Sequence, residues 1–145
     1  MRTEIAATAV FTFRQCFSAT RRGARLARLL ALHQLDAWGI PYDSELSDTA
    51  AALVAELASN AVLHARVAGR GFELRLTLRE DGVLRIEVTD TRHDRPVREP
   101  AAQPPPADEE SGRGLLLVAA LAERWGVTEG PAPRKTVWAE THTAK

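Results

Sequence analysis

The sequence predicts an α+β domain in which helices pack on a mainly antiparallel sheet, and two patterns carry that prediction. Leu46, Ala50, Leu53, Leu57 and Ala61 recur at helical spacing and mark a buried stripe. Phe72, Leu74, Leu76 and Leu78 alternate with Glu73, Arg75, Thr77 and Arg79, and after Glu80-Asp81-Gly82 the alternation resumes at Leu84, Ile86 and Val88, which is a β-hairpin pattern. At 145 residues the chain has the size of one domain and can bury a core without metal or disulfide support. Residues 1–145 are therefore expected to form a single unit.

The elements follow in order. Residues 8–14 set Phe11 and Phe13 against Thr12 and Arg14, as in a half-buried edge strand. Ser18 is placed to cap a helix running to about Trp38, with Ala24, Ala27, Leu30, Ala31, Leu35 and Trp38 inward and Gly39 and Pro41 as its stop. Arg21, Arg25 and Arg28 line its outer face, a solvated stripe that could also meet an acidic partner protein. Asp43 or Ser44 starts the second helix, which ends near His64. From 91 to 111 periodicity vanishes into a Pro-rich, acidic loop, the kind of long loop that serves as a lid. Leu115 to Ala122 is apolar nearly all round and predicts a buried helix opened by Gly112-Arg113-Gly114. Two short strands, 125–129 and 136–140, close the chain.

Composition narrows the function classes. Lys plus Arg and Asp plus Glu each number 19, so net charge is zero and nothing global favours nucleic acid or an anionic membrane. The single cysteine, Cys16, excludes an internal disulfide and a multi-Cys metal site and suits a reducing compartment. Met1-Arg2-Thr3-Glu4 leads into no apolar signal region, and no apolar run approaches the roughly 20 residues of a membrane span. The expectation is a soluble cytoplasmic protein without membrane or direct nucleic-acid partners. The four histidines, His33, His64, His93 and His142, are scattered and read as surface or packing residues.

Three features carry chemistry. Glu56 and Asn60 share one edge of the stripe on the second helix, where side chains are half buried and can face a cleft. Asp90 continues the inward register of Leu84, Ile86 and Val88, so its strand delivers a carboxylate to the buried side, as a strand-end cap or as an acceptor for a ligand. Gly112 and Gly114 at a helix start leave backbone N–H groups at the positive end of the dipole, where an anion can bind.

In combination the chain resembles the GHKL ATP-binding superfamily and, within it, the small anti-sigma-factor serine kinases of bacteria. Glu56-Leu57-Ala58-Ser59-Asn60-Ala61-Val62-Leu63-His64-Ala65 looks like the N box, Val88-Thr89-Asp90 like the start of the first glycine box, Gly112-Arg113-Gly114-Leu115-Leu116-Leu117-Val118 like the second, and Lys135-Thr136-Val137-Trp138-Ala139-Glu140 like the last strand. The resemblance implies a two-layer α/β sandwich with a mixed, mainly antiparallel sheet, and ATP with Mg²⁺ as cofactors. By resemblance Glu56 is the general base, Asn60 the Mg²⁺ ligand and Asp90 the acceptor for the adenine amino group. Gly112, Gly114 and Leu115 belong to the phosphate-side box, with Arg113 or Lys135 available to add positive charge, and residues 91–111 form the ATP lid. The implied partners are a sigma factor and an anti-anti-sigma protein, with a homodimer formed through the sheets. Asp90 is followed by Thr91-Arg92-His93-Asp94, with neither glycine of the usual D-x-G-x-G, and Arg134-Lys135 stands where the subgroup often has Gly-Lys. Two other readings therefore stand beside the kinase: a nucleotide-gated binding module without catalysis, and the ATPase half of a split histidine kinase.

Overall fold

The computed structural model describes residues 7–64, 71–90, 110–129 and 135–143. The elements run β1 (Ala9–Ser18), α1 (Arg21–Ala37), α2 (Glu45–His64), β2 (Gly71–Arg79), β3 (Val83–Asp90), α3 (Glu110–Leu121), β4 (Arg124–Glu129) and β5 (Lys135–His142). The strands form one five-stranded sheet in the order β1-β2-β3-β5-β4. All its ladders are antiparallel, and the helices pack on one face, which gives the expected α+β sandwich.

Strand parity decides which face is covered. Phe72, Leu74 and Leu76 of β2, Leu84, Ile86 and Val88 of β3, and Val137 and Ala139 of β5 are buried beneath the helices. The alternate residues form an uncovered face of charged and hydroxyl side chains. There Glu140 is buried under arginines: Arg85 Nη1 lies 2.7 Å and Arg79 Nη1 3.4 Å from its Oε2, and Arg124 Nη1 lies 3.5 Å from its Oε1. The Arg85 guanidinium also stacks 4.2 Å above the Trp138 ring. Gly126 makes room for that ring, since a Cβ there would come within 2.9 Å of it.

α2 is the central helix. Ser44 Oγ accepts from the Ser47 N–H at 3.2 Å, and Glu45 and Asp48 complement the dipole in the first turn. Leu53, Val54, Leu57 and Ala58 are at most 1% exposed, and burying each of the larger side chains contributes about 2 kcal/mol. Glu45–Leu63 is long and apolar enough to cross a membrane by length and composition, contrary to the expectation from the sequence. Here it is the core helix, packed against α1, α3 and the sheet.

Several expectations are corrected. β1 continues to Ser18 because Phe17 returns to the inward register and stacks on Phe72 with ring centroids 5.6 Å apart. Ser18, held in the ladder opposite Gly71, is therefore not the cap of α1. Thr20 is the cap: its Oγ1 accepts from the Gly23 N–H at 2.9 Å. β1 is an edge strand, as expected. α3 is not buried all round, since Val118 is buried and Leu115 and Ala122 pack on the core while Leu116 is 71% and Leu117 48% exposed. One helix face suffices to cover this end of α2, so the apolar composition of α3 exceeds what the core takes up. α3 also starts at Glu110, which takes two residues from the loop predicted over 91–111; the rest of that loop, 91–109, lies outside the described residues.

Two outcomes follow from this packing. A Cβ at Gly23 would stand 1.9 Å from the Ser18 carbonyl oxygen, a backbone atom that cannot move aside. Gly23→Ala should therefore lower stability by roughly 1–3 kcal/mol despite its better helix propensity, read as a lower urea midpoint. In the hairpin turn, the Arg79 guanidinium hydrogen-bonds Asp81 at 2.7 Å and holds its carboxyl below the usual aspartate range. A depressed folded pKa gives stability that is present above the unfolded value and lost as pH falls through the folded one. Melting curves should show the advantage of wild type over Asp81→Asn shrinking on acidification below about pH 4.

Candidate functional site

β3 ends at Asp90 and β5 begins at Lys135, and these two residues are direct partners in the antiparallel ladder. Their neighbours Thr89 and Thr136 are also partners, and their hydroxyls meet at 2.7 Å. The alternate residues then share the helix-covered face. Asp90, Lys135, Val88 and Val137 line one wall of a cleft at this end of the sheet. Leu57, Asn60 and Ala61 of α2 line the other. Four of the seven lining residues are apolar, and a carboxylate, an ammonium and an amide are set among them.

Asn60 is the unusual member. It is only 4% exposed, and its buried Nδ2 has no hydrogen-bond partner among the described residues. An unsatisfied buried amide costs about 1–3 kcal/mol, so its retention at the cleft has a ready account if a ligand supplies the missing partner. The two ends of the amide are interchangeable by a half-turn of the side chain. With its oxygen turned to the cleft, the amide would be a hard ligand suited to Mg²⁺.

The sequence-predicted residues are only partly brought together. Asn60, Asp90 and Lys135 share the cleft. Glu56 is half buried one helical turn before Asn60, outside the lining. Gly112, Arg113 and Gly114 lie within the first turns of α3 rather than ahead of it. α3 starts at Glu110, two residues ahead of Gly112. The free N–H groups of a helix belong to its first turn, which includes Gly112, while Gly114 falls in the next turn. Leu115 is half buried against the core. Lys135, expected among the phosphate-side charges, stands across from Asp90. Sequence reading missed Leu57, Ala61, Val88 and Val137 as lining, although Val88 and Val137 were two residues from Asp90 and Lys135, and Leu57 and Ala61 lay on the stripe beside Asn60.

Among the described residues no group of three or more His, Cys, Asp or Glu side chains could hold a metal ion. A metal here would rest on Asn60, on ligand oxygens and on water.

Comparison with known proteins agrees with the fold. The structure is similar to the solved RsbU and RsbW domains of Rv1364c from Mycobacterium tuberculosis, with a TM-score of 0.64 and 18% identity over 92% of this chain. The match covers 32% of that chain, so the present sequence spans about a third of its length. No curated protein sequence matches significantly. The model of the histidine kinase-like ATPase domain matches residues 17–140. With that match covering most of its length, the chain belongs to the histidine kinase-like ATPase domain family.

Proposed function

We propose that the chain is an ATP-binding anti-sigma factor with serine protein kinase activity toward an anti-anti-sigma protein. The observation that carries this reading is the cleft at the ends of β3 and β5, where a buried amide without a partner faces a carboxylate on the inward register. Membership of an ATPase family supports the nucleotide. The similarity to a structure that includes an RsbW domain supports the regulatory setting. In this reading residues 1–145 act as one domain in the cytoplasm, and a homodimer forms through a sheet edge such as β1.

Bound ATP with Mg²⁺ supplies the phosphoryl group and neutralises its charge. The chain's own residues bind, orient and move a proton. Asp90 accepts a hydrogen bond from the amino group of the base, Leu57, Ala61, Val88 and Val137 enclose it, and Asn60 would hold the metal through its amide oxygen. Gly112 offers a backbone N–H to the phosphates, with Gly114, Arg113 and Leu115 completing that box. Glu56, one turn from Asn60, takes the proton of the attacking seryl hydroxyl.

The missing glycines after Asp90 favour a second reading, a nucleotide-gated module that captures its partner without transferring phosphate. Glu56→Gln separates the two. On the kinase reading this variant keeps partner capture and loses transfer of labelled phosphate from ATP to the serine protein by at least about 100-fold. Unchanged regulation by Glu56→Gln, or no transfer by the wild type to any cognate partner, would favour the module.

The nucleotide site has its own test. Asp90→Asn should weaken Mg·ATP binding by roughly 10- to 100-fold in calorimetric titration, through loss of a charge-assisted hydrogen bond. Asn60→Leu should abolish detectable binding while leaving the unliganded protein at least as stable as wild type, because the substitution removes an unsatisfied buried amide. A lower melting temperature for unliganded Asn60→Leu would mean that the amide is structural instead.

A further inference from the structure

We propose that Lys135 is a specificity-determining residue that reads the edge of the nucleobase together with Asp90. The inference rests on the ATP-site reading above and goes beyond it, since it assigns Lys135 to the base rather than to the phosphates. Three observations carry it. First, Asp90 and Lys135 are directly opposed in the β3–β5 ladder, an arrangement that holds side-chain origins about 5 Å apart. Second, both line the cleft, and the Thr89–Thr136 hydroxyl pair next to them fixes the register that turns them there. Third, the rest of the lining among the described residues is Leu57, Ala61, Val88 and Val137, which offer apolar walls to a flat ring, together with Asn60.

The donor and acceptor inventory then selects the ligand edge. An ionised carboxylate only accepts hydrogen bonds and an ammonium only donates them. The pair therefore offers an acceptor beside a donor. Adenine presents one complement, its N6 amino group beside the N1 lone pair; guanine would present another, N1–H beside O6, and membership of an ATPase family favours adenine. With N6–H donating to Asp90, N1 is the neighbouring atom on the same edge, within reach of the flexible Lys135 stem. A residue without a donor at 135 would leave N1 unpaired or dependent on water. Lys135 also brings a positive charge to the cleft wall that carries Asp90, which offsets the cost of desolvating that carboxylate beneath a base.

The test compares Mg·ATP with Mg·1-deaza-ATP, which has a carbon in place of N1 and keeps the amino group. Binding is measured by titration calorimetry on wild type, Lys135→Met and Lys135→Arg, with thermal melts confirming that each variant is folded. Wild type should prefer ATP by roughly tenfold or more, the effect expected for one hydrogen bond to a charged donor. Lys135→Met, which keeps an apolar stem, should bind both nucleotides equally and ATP more weakly than wild type does. Lys135→Arg should restore part of the preference. Equal affinities in wild type, or an undiminished preference in Lys135→Met, would overturn the role of Lys135 while leaving the ATP site standing. No binding of either nucleotide to wild type would overturn the ATP site itself, and this inference with it.

Discussion

Burying α2 is the constraint on which the other elements depend. A helix whose Ala50, Leu53, Val54, Leu57 and Ala58 are all withdrawn from water needs cover on several sides at once. The sheet lies beneath it, α1 flanks it, and α3 closes the remaining side through Val118 and Leu115. Among the described residues the cover ends where β3 ends and β5 begins, and the last turns of α2 reach that point with Leu57, Asn60 and Ala61. The cleft is thus the place where the helix outlasts its support. Asn60 sits at that boundary, and its unsatisfied amide is tolerated because the apolar burial around it exceeds the cost.

The two faces of the sheet solve different problems with the same alternation. The covered face is aliphatic and aromatic and gives stability by burial. On the open face, three arginines surround Glu140, and Arg85 lies over Trp138. Excluding Glu140 from water is costly for a charge, and several guanidiniums offset that cost where one exposed pair would contribute little. These contacts link β2, β3, β4 and β5 side to side. The sheet is held on its open face by charge and on its closed face by packing.

Much of this was legible in the sequence, for definite reasons. The hairpin and the inward register of Asp90 followed from period-two alternation, which leaves only two possible faces. α2 followed from a stripe with helical period and a start at Asp43 or Ser44, of which Ser44 accepts from the first turn. What failed depended on partners that are distant in sequence. Ser18 has the chemistry of a helix cap, but pairing with Gly71 holds it in the strand. The run from Leu115 to Leu121 is apolar all round, yet composition cannot say how many neighbours a helix will have. Lys135 was recognisable as a charge near the site; its position across from Asp90 needed the β3–β5 register, which no local pattern encodes.

The three tryptophans occupy unlike surroundings. Trp38 stacks on Phe11 at 5.3 Å where α1 ends, Trp125 is partly exposed on the edge strand β4, and Trp138 lies under a guanidinium on the open face. None of them lines the cleft. Intrinsic fluorescence therefore follows the frame of this protein without direct quenching by a molecule in the cleft. Single-tryptophan versions would give three native optical probes, one at the β1–α1 corner, one at the far edge and one on the sheet surface, with no added dye.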